Sequence, residues 1–210
     1  VIKIVCVALL VSLANLLMAQ DDNYLDSLEQ AYQKSDVASV ERLQLLRALA
    51  QDLEDPQKKL AYSNLLIAAA QQADSTLMLF DGYLQKGSAL RLKSDLTIAL
   101  DFYFKAATLA IDHKMDRQLG ITNIAIADVY SIMDNHKNAI DYYNAAIDLL
   151  REVDDSVGVA SALLNAGDEY FNQEKFDSAM YYFEESGDIF KDLGFEVGVA
   201  YAQGNIVPRR

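Results

Sequence analysis

The chain has 210 residues, 52% of them hydrophobic, with 31 acidic against 18 basic side chains and a formal net charge of −13. That apolar share supplies a substantial core, and the scarcity of Gly (9) and Pro (2) favours helices over a turn-rich β fold. A polyanion of this kind repels phosphate backbones and anionic lipid headgroups, which sets nucleic-acid binding aside.

The N-terminal residues read as an export signal. Lys3 supplies one positive charge, an apolar run from Ile4 to Leu17 is interrupted only by Ser12 and Asn15, and Leu17-Met18-Ala19 precedes Gln20-Asp21-Asp22. A short basic start, an apolar stretch and a small residue before polar sequence describe a secretory signal peptide, residues 1–19, cut after Ala19. The run falls short of the roughly 20 apolar residues a membrane span needs. The chain is therefore expected in the periplasm or outside the cell. Cys6, the single cysteine, lies inside the leader, so the mature chain is expected to carry no thiol, disulfide or Cys-ligated metal.

Residues 20–35 follow, with a capping helix expected from Tyr24 to Ser35. Residues 36–74 form a helical pair: Leu45, Leu46, Leu49 and Leu53 stripe one helix, and Leu60, Leu65, Leu66 and Ala69 stripe the next. Asp55-Pro56 between them reads as N-cap and first helical residue.

From residue 75 the chain repeats. A small residue (Ala99, Ala139, Ala179) is followed four positions on by an aromatic (Tyr103, Tyr143, Phe183), and three further by another small residue (Ala106, Ala146, Ser186). Those offsets place all three on one helix face, where the small residue admits a neighbouring backbone and the aromatic fills the space beside it. Twelve residues before each small position stand Gly87, Ala127 and Gly167, followed three later by Leu90, Tyr130 and Tyr170. The units are 75–114, 115–154 and 155–193. Residues 194–210 begin a further one, with a first helix from Glu196 to Val207. Carrying the frame back puts Lys59 at a small position, which marks 36–74 as a degenerate unit.

These residues resemble the tetratricopeptide repeat, whose helix A carries a small residue and a Tyr three later and whose helix B carries Ala, an aromatic and Ala. Ala127, Tyr130, Ala139, Tyr143 and Ala146 match, as do Gly167, Tyr170, Ala179, Phe183 and Ser186; Leu90 departs from it. The 40-residue spacing exceeds the family's usual period of about 34. The resemblance implies an all-α, right-handed superhelical solenoid of antiparallel helix pairs, binding a peptide or protein along a concave face lined by A helices. In family register that face carries Leu84, Ser88 and Arg91, then Ile124, Asp128 and Ser131, then Leu164, Asp168 and Phe171. The branch of the family that grips acidic peptide C-termini uses basic residues there. Asp128 and Asp168 oppose that, so a partner bearing Lys, Arg or a free amine is expected.

No chemistry is legible beyond that face. His113 and His136, the two histidines, sit near predicted helix ends, where exposure or a dipole role accounts for them. Asp21-Asp22 and Asp154-Asp155 read as helix starts rather than metal ligands. No Gly-rich phosphate loop, nucleophile elbow or paired His is present, so no cofactor, metal or catalytic residue is expected. The leader, cap, degenerate unit and repeats also resemble the exported N-terminal region of bacterial membrane-bound nucleotide cyclases and sensor histidine kinases. That implies a sensory piece of a larger signalling protein; a stand-alone periplasmic adaptor is the second reading, and an enzyme in its own right, which no motif supports, the remote third. The helix after Glu196 lacks a following B helix to cover it, so self-association of this chain is expected.

Overall fold

The computed structural model describes residues 24–36 and 40–206. The leader expected at 1–19, and the final residues 207–210, lie outside the described residues. Every regular element among those described is an α-helix: α1 (24–34), α2 (Val40–Asp52), α3 (Pro56–Gln72), α4 (Thr76–Leu92), α5 (Leu96–Asp112), α6 (Asp116–Ile132), α7 (His136–Glu152), α8 (Ser156–Asn172), α9 (Phe176–Asp192) and α10 (Glu196–Ile206). They fall into two compact units, residues 1–89 and 90–210. The architecture is the all-α, paired-helix fold of a tetratricopeptide-like solenoid.

In the first unit Leu46, Ala50 and Leu66 form a core cluster flanked by Tyr32, Leu43, Tyr62 and Met78. Arg42 holds the end of α1 to α2, its guanidinium 3.9 Å from the Tyr32 ring centroid and its Nη1 donating to the Tyr32 carbonyl at 2.9 Å. Asp55 caps α3 by accepting from the Lys58 amide at 2.7 Å, with Pro56 as first helical residue. Lys59 is buried, and its Nζ donates to the Gln51 carbonyl at 2.7 Å and the Leu53 carbonyl at 3.4 Å. This explains its place where later units carry alanine: its ammonium satisfies carbonyls that the end of α2 leaves without an intrahelical donor.

From α4 to α9 each helix has 17 residues and each connection three. One turn makes all these reversals. Asp74, Ser94, Lys114, Asp134, Asp154, Glu174 and Gly194 adopt positive φ, between 48° and 72°. The next amide then reaches back to close the helix: Met115 to Ala110 at 2.8 Å, Asn135 to Tyr130 at 2.8 Å, Asp155 to Leu150 at 2.9 Å. These are Schellman closures. The residue making each bond is also the N-cap of the next helix, and Asp155 and Asn135 cap the Gly158 and Asn138 amides with their side chains. Asp155 thus serves as the helix start expected from sequence, while Asp154 is the left-handed turn residue before it.

The second unit packs small residues against large ones. A Cβ at Gly167 would lie 2.6 Å from the Phe183 ring, one at Gly120 2.6 Å from Leu150, and one at Gly198 2.5 Å from Phe190. Ala127, Ala139, Tyr143 and Ala166 form one core cluster, and Ala146, Ile147, Leu150, Val159, Ala162 and Leu163 another. Ser186 keeps the third small position because its Oγ donates to the Ala160 carbonyl at 2.8 Å.

Two substitutions test this scheme by thermal or urea melts. Gly167→Ala is expected to destabilise by about 1–2 kcal/mol, because displacing the buried Phe183 ring outweighs the gain in helix propensity. Lys114→Gly is expected to stabilise by about 0.5–1 kcal/mol, because it relieves a left-handed residue that lacks the local hydrogen bonding open to Asp or Asn.

Candidate interaction site

In the second unit the last turn of α4, the ends of α6 and α8, and the middle of α7 enclose an open recess of about 270 Å³. Helical spacing assembles it. Asn165, Asp168, Glu169 and Asn172 stand at intervals of three and four on α8, and Asp128, Ser131 and Ile132 do the same on α6, so each helix presents one polar stripe. Arg91 enters from α4 and Tyr143 from α7.

The polar groups are linked across helices. Tyr143 donates its hydroxyl to Asp128 Oδ1 at 2.7 Å, and Asn165 Nδ2 donates to the same oxygen at 3.3 Å. Glu169 is 1% exposed; its Oε2 accepts from Ser131 Oγ at 2.5 Å and its Oε1 meets His136 Nδ1. One buried carboxylate thereby ties α6, α7 and α8 together.

Three carboxylates face one guanidinium in this space. Burial raises the Asp128 carboxyl above the ordinary carboxylate value, against the opposing hydrogen bond from Tyr143, the Arg91 charge and the Asn165 amide. Asp168 is raised too, first by burial and then by the charge of neighbouring Glu169. The Tyr143 phenol is pushed far up by burial and by Asp128. Arg91 Nε is buried without a hydrogen-bond partner, so Arg91 contributes charge here rather than a fixed bond at that nitrogen.

Of the residues the sequence points to, Arg91, Asp128, Ser131 and Asp168 line this recess. Ile124 packs against both core clusters of the unit instead. Leu164 is half-buried on α8, and Phe171 is exposed and edge-on to Phe176 with ring centroids 5.3 Å apart. Leu84 and Ser88 are half-buried on α4 within the first unit. Sequence reasoning missed Tyr143, Asn165, Glu169 and Asn172, and gave His136 a bland role. The stripe of Asn165, Glu169 and Asn172 around Asp168 was the available signal. Among the described residues no group of three or more His, Cys, Asp or Glu is placed to hold a metal, and no helix is long and apolar enough to cross a membrane.

Comparison with known proteins bears on the fold. Residues 118–192, spanning α6 to α9, match the model of the tetratricopeptide repeat family. No curated protein matches the chain in sequence. Among solved structures the chain is similar to BtubC from P. vanneervenii, at 18% identity and TM-score 0.62 over 91% of this chain and 93% of that one. It is also similar to a signal transduction ATPase with numerous domains, carrying a tetratricopeptide repeat sensor, from Pyrococcus horikoshii. There the identity is 16% and the TM-score 0.68, over 93% of this chain but 31% of that one. A Rap protein complexed with competence and sporulation factor aligns at 16% identity and TM-score 0.63, covering 89% of this chain and 58% of that protein. These likenesses show a helical-repeat fold of the tetratricopeptide kind, and the family match spans the two units whose A helices carry a small residue and a Tyr three later.

Removing the Asp168 charge tests the electrostatic reading. A carboxylate whose pKa is raised in the folded state stabilises that state below its unfolded value, ordinarily 3.8, and loses that contribution as pH rises through the folded value. Asp168→Asn is therefore expected to melt about 1–3 °C higher than the parent at neutral pH. The difference should shrink as pH falls towards the ordinary carboxylate value. A lower melting temperature at neutral pH would contradict it.

Proposed function

We propose that the chain is a non-catalytic interaction or sensory module that holds a peptide or protein segment on its A-helix face and seats a cationic side chain in the recess of the second unit. The observation that carries this reading is the convergence of Asp128, Asp168 and Glu169 around a single arginine in an open, partly desolvated space. The Asp128 and Asp168 carboxylates held there cost stability, as their raised pKa values indicate, and an incoming guanidinium or ammonium offsets that cost. Exposed Ile132 on the rim offers apolar surface to residues beside the cation. The hydroxyl, carboxylate and imidazole of Ser131, Glu169 and His136 run in that order. The imidazole lies beyond the carboxylate from the hydroxyl, which is not the arrangement that activates a nucleophile.

The apolar N-terminal run supports export, and we place the module in the periplasm or outside the cell. We favour the input region of a larger signalling protein. The ATPase and the Rap protein carry comparable folds as part of longer chains, and the Rap protein is complexed with competence and sporulation factor. A stand-alone adaptor is the second reading. The intact mass of the native polypeptide separates these: a mass near that of residues 20–210 supports the adaptor, and a much larger one the signalling protein.

Binding is tested by fluorescence anisotropy with labelled, end-blocked heptapeptides of leucine and alanine around a central arginine, citrulline or glutamate. The arginine peptide is expected to bind roughly three- to tenfold more tightly than its neutral citrulline counterpart, with Asp168→Asn abolishing most of that margin. Equal binding of the glutamate peptide, or none by the arginine peptide, would refute a cation-seating recess.

A further inference from the structure

The recess contains one charge whose neutralisation is built into the fold. Glu169 is 1% exposed, yet among the described residues neither Lys nor Arg forms an ion pair with it; its side-chain partners there are the Ser131 hydroxyl and the His136 imidazole. The His136 side chain is 41% exposed, so the ring reaches bulk water while its Nδ1 stays on the buried carboxylate. A carboxylate this far from solvent is screened poorly, and its field extends into the adjoining space. Asp168, next to it on α8, feels that field.

We propose that His136 is a proton-operated control on the recess: protonated, it cancels the Glu169 charge and weakens the hold on a cation; neutral, it leaves that charge in force and strengthens the hold. The proposal rests on the cationic-ligand reading of the same site. Imidazole is the side chain that ordinarily changes charge between about pH 5 and 8. In either state Nδ1 keeps its contact with Glu169, so the three helices remain tied while the net charge of the recess changes by one. The other charged groups lining the recess are Asp168 on α8, Asp128 on α6 and Arg91 on α4, with the titratable Tyr143 on α7, and Asp134 and Lys137 stand beside His136 in sequence. The raised carboxyls of Asp128 and Asp168 add their own pH dependence of the same sign, so only a comparison with His136 variants isolates the imidazole. By linkage a cation that binds better to the neutral form also expels the proton.

The experiment measures the affinity of the arginine heptapeptide at pH 5.5 and 7.5 for the parent chain, His136→Gln and His136→Lys. Glutamine keeps a donor towards Glu169 and cannot be charged; lysine keeps the ion pair and stays charged. The parent is expected to bind roughly three- to tenfold more tightly at the higher pH. Beyond the slope that both variants share, His136→Gln should hold the tight value and His136→Lys the weak one. A parent slope matched in both variants overturns the control while leaving the cation site standing. A second readout needs no ligand. The Asp168 carboxyl carbon, followed by NMR, is expected to show an inflection in the imidazole range that is lost in both variants. Its presence in His136→Gln, or its absence from the parent, overturns the coupling whether or not the peptide binds.

Discussion

The second unit depends on one backbone constraint: a 17-residue helix must reverse direction within three residues, again and again, without losing phase. A single left-handed residue after each helix achieves this, because the Schellman bonds that close one helix also position the cap of the next. Every A helix therefore enters with the same rotation. That shared phase brings residues 40 apart, such as Asp128 and Asp168, to corresponding faces of α6 and α8, close enough to line one recess. Small residues then set the spacing between helices. Where Gly167 meets Phe183, or Gly120 meets Leu150, there is no room for a further methyl group, and the aromatic or leucine is held in one place.

Helix content and repeat phase were legible because they rest on periodic apolar patterns. Ala99, Ala139 and Ala179 are all buried, as a shared core position requires, and the buried rings of Tyr103, Tyr143 and Phe183 accompany them. The turns were less visible. Glycine is the usual mark of a left-handed turn, but six of the seven here are Asp, Ser, Lys or Glu, so the half-period of 20 residues carries almost no residue signature. Lys59 looked like a break in the pattern. It is a substitution of function, an ammonium closing a helix end, and its partners at residues 51 and 53 are backbone atoms that no side-chain pattern announces.

The recess was half legible for a related reason. Family register pointed to Arg91, Asp128, Ser131 and Asp168 because it tracks one line along the A helices. It could not find Tyr143, which belongs to the core pattern of α7 yet extends its hydroxyl through the helix layer to Asp128. Nor could it weigh Glu169 against Asp168. The two are adjacent in sequence, alike in charge and both at the recess, but Glu169 is buried and held by Ser131 and His136 while Asp168 is half-buried. Burial separates their roles, and burial depends on what the neighbouring helices bring.

The repeat also shows why the Ser131–Glu169–His136 arrangement is not copied at the residues 40 positions after Ser131 and His136. Forty residues after Ser131 and His136 stand Phe171 and Phe176, two rings in edge contact at 5.3 Å. The backbone places the two pairs equivalently, and in both cases the end of an A helix meets the start of its B helix. A hydroxyl and an imidazole at those points can hold a buried carboxylate; two phenyl rings cannot, and they satisfy each other instead. The fold supplies identical positions, and the departure from repetition supplies the chemistry. Recognition in such a chain is therefore expected where the residue pattern breaks while the backbone does not, as between α6 and α8, where three carboxylates and an imidazole gather beside the apolar core.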